Sequence, residues 1–446
     1  MLLRFYVSNF MSFHQEAEFN MFPGALKTHK AHVYKQNKIN LLKAAAMYGA
    51  NGSGKSNFIK AVHFLHDIVV KGDIESSEVR CVPFKLGNVA PNEPSVLGIE
   101  IKIEKKYYEY IISIVEDKII NEELYETNPE TGDGKMLFSR TQGEQTKITV
   151  DPSWTTTDKE RYRYEIYAED LAPSAALLFK LKEHQPDAKR IYDWFDKYLY
   201  VIYPESKFFL TLKLCTDDKY KSFLNDLLPA LGTGMNKVDI AKIPFDTFFS
   251  SDEVEFREKI EQKLKNKTAI SHFMRKGKEY VARKEEGQYF VHQLNTFNSD
   301  AAGNLVGFDP DEQSDGTRRI LDLIPAIQLI LDHPTVLFID EIERSLHPSM
   351  IKALLTFLMN QKTKGQLIFT THESNLLDLS LFRQDEIWFA EKDNQGASTL
   401  YPLTNFKPRY DLDIKKGYLL GRFGAIPFLG NFNNLSQEYE PQEQTI

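Results

Sequence analysis

Gly49-Ala50-Asn51-Gly52-Ser53-Gly54-Lys55-Ser56 decides the reading of this chain, because it meets the spacing G-x-x-x-x-G-K-[ST] in full. Glycines at these positions let backbone N–H groups wrap a phosphate, and a helix starting at the lysine adds its positive end. The flanks supply the context such a loop needs. Residues 44–48 read as a short buried strand running into Gly49, and Phe58, Ile59, Val62, Leu65 and Val69 recur at helical spacing after Ser56. A ligand-free glycine turn would not require this strand–loop–helix frame. Lys55 is expected to reach the β and γ phosphates and Ser56 to ligate Mg2+, with Gly49, Asn51, Gly52, Ser53, Gly54 and Asn57 completing the cradle.

Further along, Thr335-Val336-Leu337-Phe338-Ile339-Asp340-Glu341 is an apolar strand ending in two carboxylates. Open α/β sheets bind ligands at the carboxyl ends of their strands, so Asp340 is expected on the magnesium side and Glu341 beside the attacking water. A strand followed by Asp-Glu is common in itself; the upstream loop makes this one specific. Thr370-Thr371-His372 follows another apolar strand, 366–369, which places His372 to hydrogen-bond a γ-phosphate and respond to its loss. Ser314-Asp315-Gly316-Thr317-Arg318-Arg319 opens a helix over 316–331, where Ser314 or Asp315 reads locally as an N-cap.

The rest of the chain organises around these points. Leu3, Phe5, Val7, Ala17 and Phe19 alternate with polar residues, and 95–150 repeats that alternation around hairpin residues 128–134, predicting an antiparallel β lobe. From 157 to 270 the period turns helical, with Ala188, Ile191, Trp194, Phe195 and Tyr198 on one stripe and Tyr220, Phe223, Leu224, Leu227 and Leu231 on another. The last helix there, 253–267, is highly charged with a thin stripe of Phe256, Ile260 and Leu264, too short for a long coiled coil. Strands return over 280–294. The expected domains are 1–155, carrying the phosphate loop and β lobe, a helical insertion 156–275, and 276–446, closing the α/β core.

With 446 residues and 42% hydrophobic content the chain can bury a sizeable core. A net charge of −8 argues against whole-surface affinity for nucleic acid. Cys81 and Cys215 are far apart and suit a reducing compartment, and no stretch approaches the ~18 apolar residues of a spanning helix. The expectation is a cytoplasmic protein with no membrane partner. The last dozen residues are polar and expected to be disordered.

Ser314-Asp315-Gly316-Thr317 resembles the signature motif of ABC-type ATPases, and Asp340-Glu341-Ile342-Glu343-Arg344-Ser345-Leu346-His347-Pro348 resembles the Walker B and D-loop of their OLD-like and RecF-like branch. With Ser8-Asn9-Phe10-Met11-Ser12-Phe13 and Gly421-Arg422-Phe423-Gly424-Ala425-Ile426-Pro427, the chain is similar to the AAA/ABC ATPases of bacterial phage-defence operons, of the RloA type and the AriA type of PARIS systems. The resemblance implies an α/β fold: an ABC-type P-loop head with a mixed sheet and antiparallel β lobe, and an inserted, mainly helical domain. It implies ATP with Mg2+, and a homodimer in which Ser314, Asp315 and Gly316 complete the partner's site, while leaving a higher oligomer open. It further implies a sensor or scaffold holding a separately encoded effector, a nuclease. No glutamine among Gln142, Gln145 and Gln185 is assigned to a Q-loop. About seventy residues follow His372, too few for a Toprim domain, and Asp411-Leu412-Asp413 reads as a surface turn. The alternative is a RecF-like DNA clamp, for which Arg275, Lys276, Lys278, Arg283 and Lys284 are the local basic cluster. A transporter subunit fits the ATP motifs but not the long insertion.

Overall fold

Alternation at Leu3, Phe5 and Val7 buries one face of the strand Leu2–Ser8. In the computed structural model, which describes residues 1–427 apart from 27, 36–37, 88–91, 208–209, 267–269 and 410–411, that strand joins an antiparallel sheet of seven. Its order is Lys147–Val150, Gly134–Thr141, Lys118–Thr127, Lys106–Val115, Ser95–Ile103, Leu2–Ser8, Ala17–Asn20. The hairpin at 128–133 turns on Gly132, whose φ of 78° is left-handed. The expectations for Asp411 and for the last dozen residues lie outside the described residues.

A second sheet lies against the first. Its order is Leu199–Ile202, Val336–Ile339, Gln366–Thr370, Ala44–Tyr48, Ile387–Lys392, all parallel, with Ser398–Pro402 antiparallel at the edge. The three central strands are buried throughout, as strands covered on both faces must be. Ala45, Met47, Phe338 and Ile368 pack with the helix Lys55–Lys71 and the antiparallel sheet. Ala44, Ala46, Tyr48, Leu337, Ile339, Leu367 and Phe369 point the other way, into the core shared with the helices Asp315–Asp332 and Pro348–Asn360. The two sheets are stitched by fully buried Gln366, whose Oε1 accepts from Leu2 N–H at 2.7 Å and whose Nε2 donates to Leu2 O and Leu42 O. The fold is thus a mixed α/β head with an inserted helical region.

Between 156 and 275 lie the helices Asp158–Asp170, Pro186–Tyr198, Asp218–Ala230 and Val254–Asn266, but also the edge strand Leu199–Ile202 of the parallel sheet. A third, antiparallel sheet follows: Lys237–Pro244, Gln288–Ser299, Lys278–Glu285 and Ile270–Arg275, with Leu305–Phe308 paired to Gln288–Ser299. Ile260 and Leu264 of the charged helix pack there with Phe245, Phe249, Phe273 and Tyr280 in a separate small core. Among the described residues, no helix is long and apolar enough to cross a membrane.

Candidate nucleotide site

Asn51, Gly52, Ser53, Gly54, Lys55, Ser56, Asn57, Glu341, Glu343, Arg344 and His372 line one open cavity of about 440 Å³ at the carboxyl edge of the parallel sheet. The helix Lys55–Lys71 begins there at Gly54, with φ 109°, no side chain capping it and no acid in its first turn. Its first amides and its positive end are therefore available to an anion, which is the requirement for seating a phosphate. Glycine is required at 54 for a second reason: a Cβ would lie 2.2 Å from Ser398 Oγ and 2.9 Å from Ser12 Oγ.

Lys55 is buried, and its Nζ donates to Gly49 O at 2.8 Å and Ala50 O at 3.0 Å, with His372 Nδ1 at 3.3 Å. Burial pushes its pKa down to about 8, against the pull of Asp340, Glu343 and Glu341. Asp340 is buried at the end of its strand, accepting from Thr370 Oγ1 at 2.6 Å, while Glu341 N–H donates to the same hydroxyl oxygen at 2.8 Å. Glu341 turns off the strand at φ 49°, and its Oε1 stands 3.9 Å from His372 Nε2. Backbone in this region is strained for a residue with a Cβ and is found where a site fixes it. His372 N–H donates to Glu343 Oε1 at 2.5 Å; burial and the Lys55 charge lower the pKa of its imidazole, which Glu343 and Glu341 partly offset. A neutral ring can then donate or accept at a phosphate oxygen.

A family described as "AAA domain, putative AbiEii toxin, Type IV TA system" matches residues 44–378. The chain belongs to this AAA domain family. Among solved structures it is similar to the SMC head domain from Thermotoga maritima, at 12% identity over 90% of this chain and 98% of that one, with a TM-score of 0.38. It is likewise similar to an SmcHead bound to the C-winged helix domain of ScpA, at 11% identity over 91% and 99%, with a TM-score of 0.39. No curated protein matches. As a member of the AAA domain family the chain is an ATP-binding P-loop enzyme.

In this AAA domain protein, Ser314, Asp315 and Gly316 do not line the cavity. Ser314 caps the helix Asp315–Asp332, its Oγ accepting from Thr317 N–H at 3.2 Å, and Gly316 lies so close to the loop after the acidic pair that a Cβ would meet Ser345 O at 2.6 Å. Arg344 joins the two places, lining both the nucleotide cavity and a neighbouring cavity of about 510 Å³ that Asp315 also lines. Gln142, Gln145 and Gln185 are likewise absent from the nucleotide cavity; Gln185 is buried and donates to Tyr164 OH at 2.7 Å.

Sequence reasoning assigned no role to four residues found beside the site. Ser12 accepts from Asn57 Nδ2 at 2.9 Å, and Ser398 donates to Ser53 O at 2.7 Å, so an N-terminal turn and the edge strand Ser398–Pro402 buttress the phosphate loop. Tyr203 follows the edge strand beside the Asp340 strand, and Arg319 Nη1 donates to its carbonyl at 3.4 Å. Ser12 and Arg319 lie in runs the sequence already singled out, Ser8–Phe13 and Ser314–Arg319, and in the first of these Asn9 and Met11 adopt φ of 45° and 50°; Tyr203 and Ser398 had no such signal. The basic cluster is largely neutralised: Arg275 pairs with Glu253, Lys278 with Asp309 and Arg283 with Glu285.

Proposed function

We propose that this ATPase is one half of a dimeric switch, the sensor or scaffold subunit of an anti-phage defence system, which controls a separately encoded effector of nuclease type. The observation that carries the dimer is the separation of two parts: a phosphate cradle lined by Lys55, Glu341 and His372, and a signature turn, Ser314–Gly316, outside it. A second copy would bring its signature turn to the first copy's γ-phosphate. The defence role rests on the family's toxin–antitoxin description and on the sequence resemblance to phage-defence ATPases.

In this reading the amides of residues 51–57 and the Lys55 ammonium bind the triphosphate, and Lys55 exchanges its present carbonyl partners for phosphate oxygens. Ser56 and Asp340 would hold Mg2+, which neutralises phosphate charge when bound. Glu341 orients and deprotonates the attacking water, and His372, linked to Glu343, reads whether the γ-phosphate is present. ATP joins two heads, hydrolysis parts them, and the effector follows that change. The pairing of Arg275, Lys278 and Arg283 with acids weakens the DNA-clamp alternative.

The test is mass analysis of tagged Glu341→Gln protein with ATP and magnesium, expressed with its neighbouring genes intact. The expected species is an ATP-dependent dimer holding a nuclease-type protein. Recovery of only a dimer on duplex DNA, or of monomer with ATP, would overturn the reading.

A further inference from the structure

The far half of the phosphate-loop helix carries three ligand-type side chains that the nucleotide cavity does not use. His63 and His66 are three apart and His63 and Asp67 four apart on Lys55–Lys71, spacings that gather side chains on one side of a helix. No two of their ligand atoms are more than 4.8 Å apart. His63 Nε2 stands 3.6 Å and His66 Nδ1 3.5 Å from Asp67 Oδ1. Both gaps exceed a good hydrogen bond, whereas ligands held at roughly 2.0–2.1 Å in a tetrahedron lie about 3.3–3.4 Å apart.

The surroundings divide the polar atoms in the way a metal site needs. Asp67 is buried, and its Oδ2 accepts from Ser77 Oγ at 3.1 Å and Glu78 N–H at 3.0 Å and pairs with Lys71 Nζ at 3.1 Å. Oδ1 is left facing the imidazoles. His66 Nδ1 is buried and makes no short hydrogen bond, facing only Asp67 Oδ1 at 3.5 Å. His63 Nδ1 meets the Tyr203 hydroxyl at 3.0 Å, which leaves Nε2 on the Asp67 side; a ligating histidine is commonly oriented through its other nitrogen in this manner.

We propose that His63 Nε2, His66 Nδ1 and Asp67 Oδ1 form a site for a divalent transition metal of the zinc class, with solvent completing the coordination. Two imidazoles and a carboxylate suit such an ion better than magnesium, which prefers oxygen. The widest gap must close by at most about 1.5 Å to reach tetrahedral spacing, within the reach of imidazole rotation. The two imidazoles retain 17% and 22% exposure, enough for an ion to enter. Tyr203 links the site to the catalytic edge: it follows the strand whose Ile202 O accepts from Asp340 N–H at 2.8 Å.

The experiment is a titration of chelator-stripped full-length protein with zinc against a chromogenic competitor, repeated with cobalt(II) to read ligand-field absorption. Wild type should bind one zinc per chain and give cobalt bands of a four- or five-coordinate site. His63→Gln and His66→Gln, both at partly exposed positions, should each weaken zinc by roughly tenfold or more and lose those bands, with unchanged circular dichroism. Asp340→Asn should leave zinc stoichiometry as in wild type. Equal zinc affinity in wild type and the His63→Gln/His66→Gln double variant, no binding by wild type, or loss of binding on Asp340→Asn would each overturn the proposal.

Discussion

Two helices begin at segments the sequence singles out, the phosphate loop and the Ser314–Gly316 turn, and they begin differently. Lys55–Lys71 starts at Gly54 with an uncapped first turn whose residues line a cavity. Asp315–Asp332 starts at Ser314, which closes its own first turn through Thr317 N–H and meets Thr317 Oγ1 at 2.9 Å. An open N-terminus is a standing anion site, whereas a capped one must exchange a hydrogen bond already made before it can hold a phosphate. Hence the first helix is expected to bind nucleotide in a single chain, and the second to contribute only once a nucleotide already bound to another copy reaches it.

The strongest way to sharpen this contrast is Glu341→Gln. If Glu341 is the base proposed above, hydrolysis should fall by roughly 10²–10⁴-fold with ATP affinity retained, and the proposed ATP-bound dimer should persist in light scattering, since neither helix start is touched. Lys55→Ala attacks the open start itself. Losing a charge-assisted contact of about 3 kcal/mol should weaken ATP by roughly 100-fold in equilibrium binding, and a near-normal affinity would break the assignment of this end as the primary site. Gly54→Ala places a Cβ against Ser398 Oγ at a left-handed φ, so a loss of about 1–3 kcal/mol is expected in thermal unfolding, together with weaker ATP binding.

Ser314→Ala should cost about 1 kcal/mol through the lost cap. If the two starts differ as described, it leaves ATP affinity of the single chain intact and lowers only the concentration-dependent ATPase rate; an equal fall in both would erase the distinction. The smallest effect is in protons. The pKa of Lys55 in the fold, about 8, lies below its ordinary 10.5, so burying its charge is a cost present in full below pH 8 and relieved as pH rises from 8 toward 10.5. ATP recruits the charged form, so binding should take up close to one proton near pH 9 and almost none at pH 7, read by calorimetry in buffers of different ionisation enthalpy.

The same contrast explains what could be read in advance. The open start was legible because a phosphate loop needs a fixed spacing of glycines, a lysine and a strand before it, all within residues 44–56. Likewise Asp340, Glu341 and His372 sit at the ends of apolar runs, and alternation outlined the antiparallel lobe. The edge strand Leu199–Ile202 was not legible: it directly continues the stripe of Pro186–Tyr198, and four apolar or aromatic residues there fit a helix end as well as a strand. The Ile270–Arg275 and Lys278–Glu285 hairpin was only half anticipated because its charged residues blur the alternation, their partners being elsewhere, at Glu253 and Asp309. Ser12, Tyr203 and Ser398 act through contacts across long stretches of chain, which local pattern does not encode.

The sandwiching of the phosphate-loop strand has a consequence for synthesis. Among the described residues, Ala44–Tyr48 pairs only with Gln366–Thr370 and Ile387–Lys392, so its partners emerge roughly 320 residues after it. At about 5–20 residues per second that is a wait on the order of 15–60 s, during which an apolar strand has neither edge covered. The antiparallel lobe, whose successive hairpins pair with near neighbours, needs no such delay and can form early, apart from the stitch that Leu2 makes to Gln366. The parallel sheet that frames the phosphate loop is therefore completed late in synthesis, well after the lobe beside it.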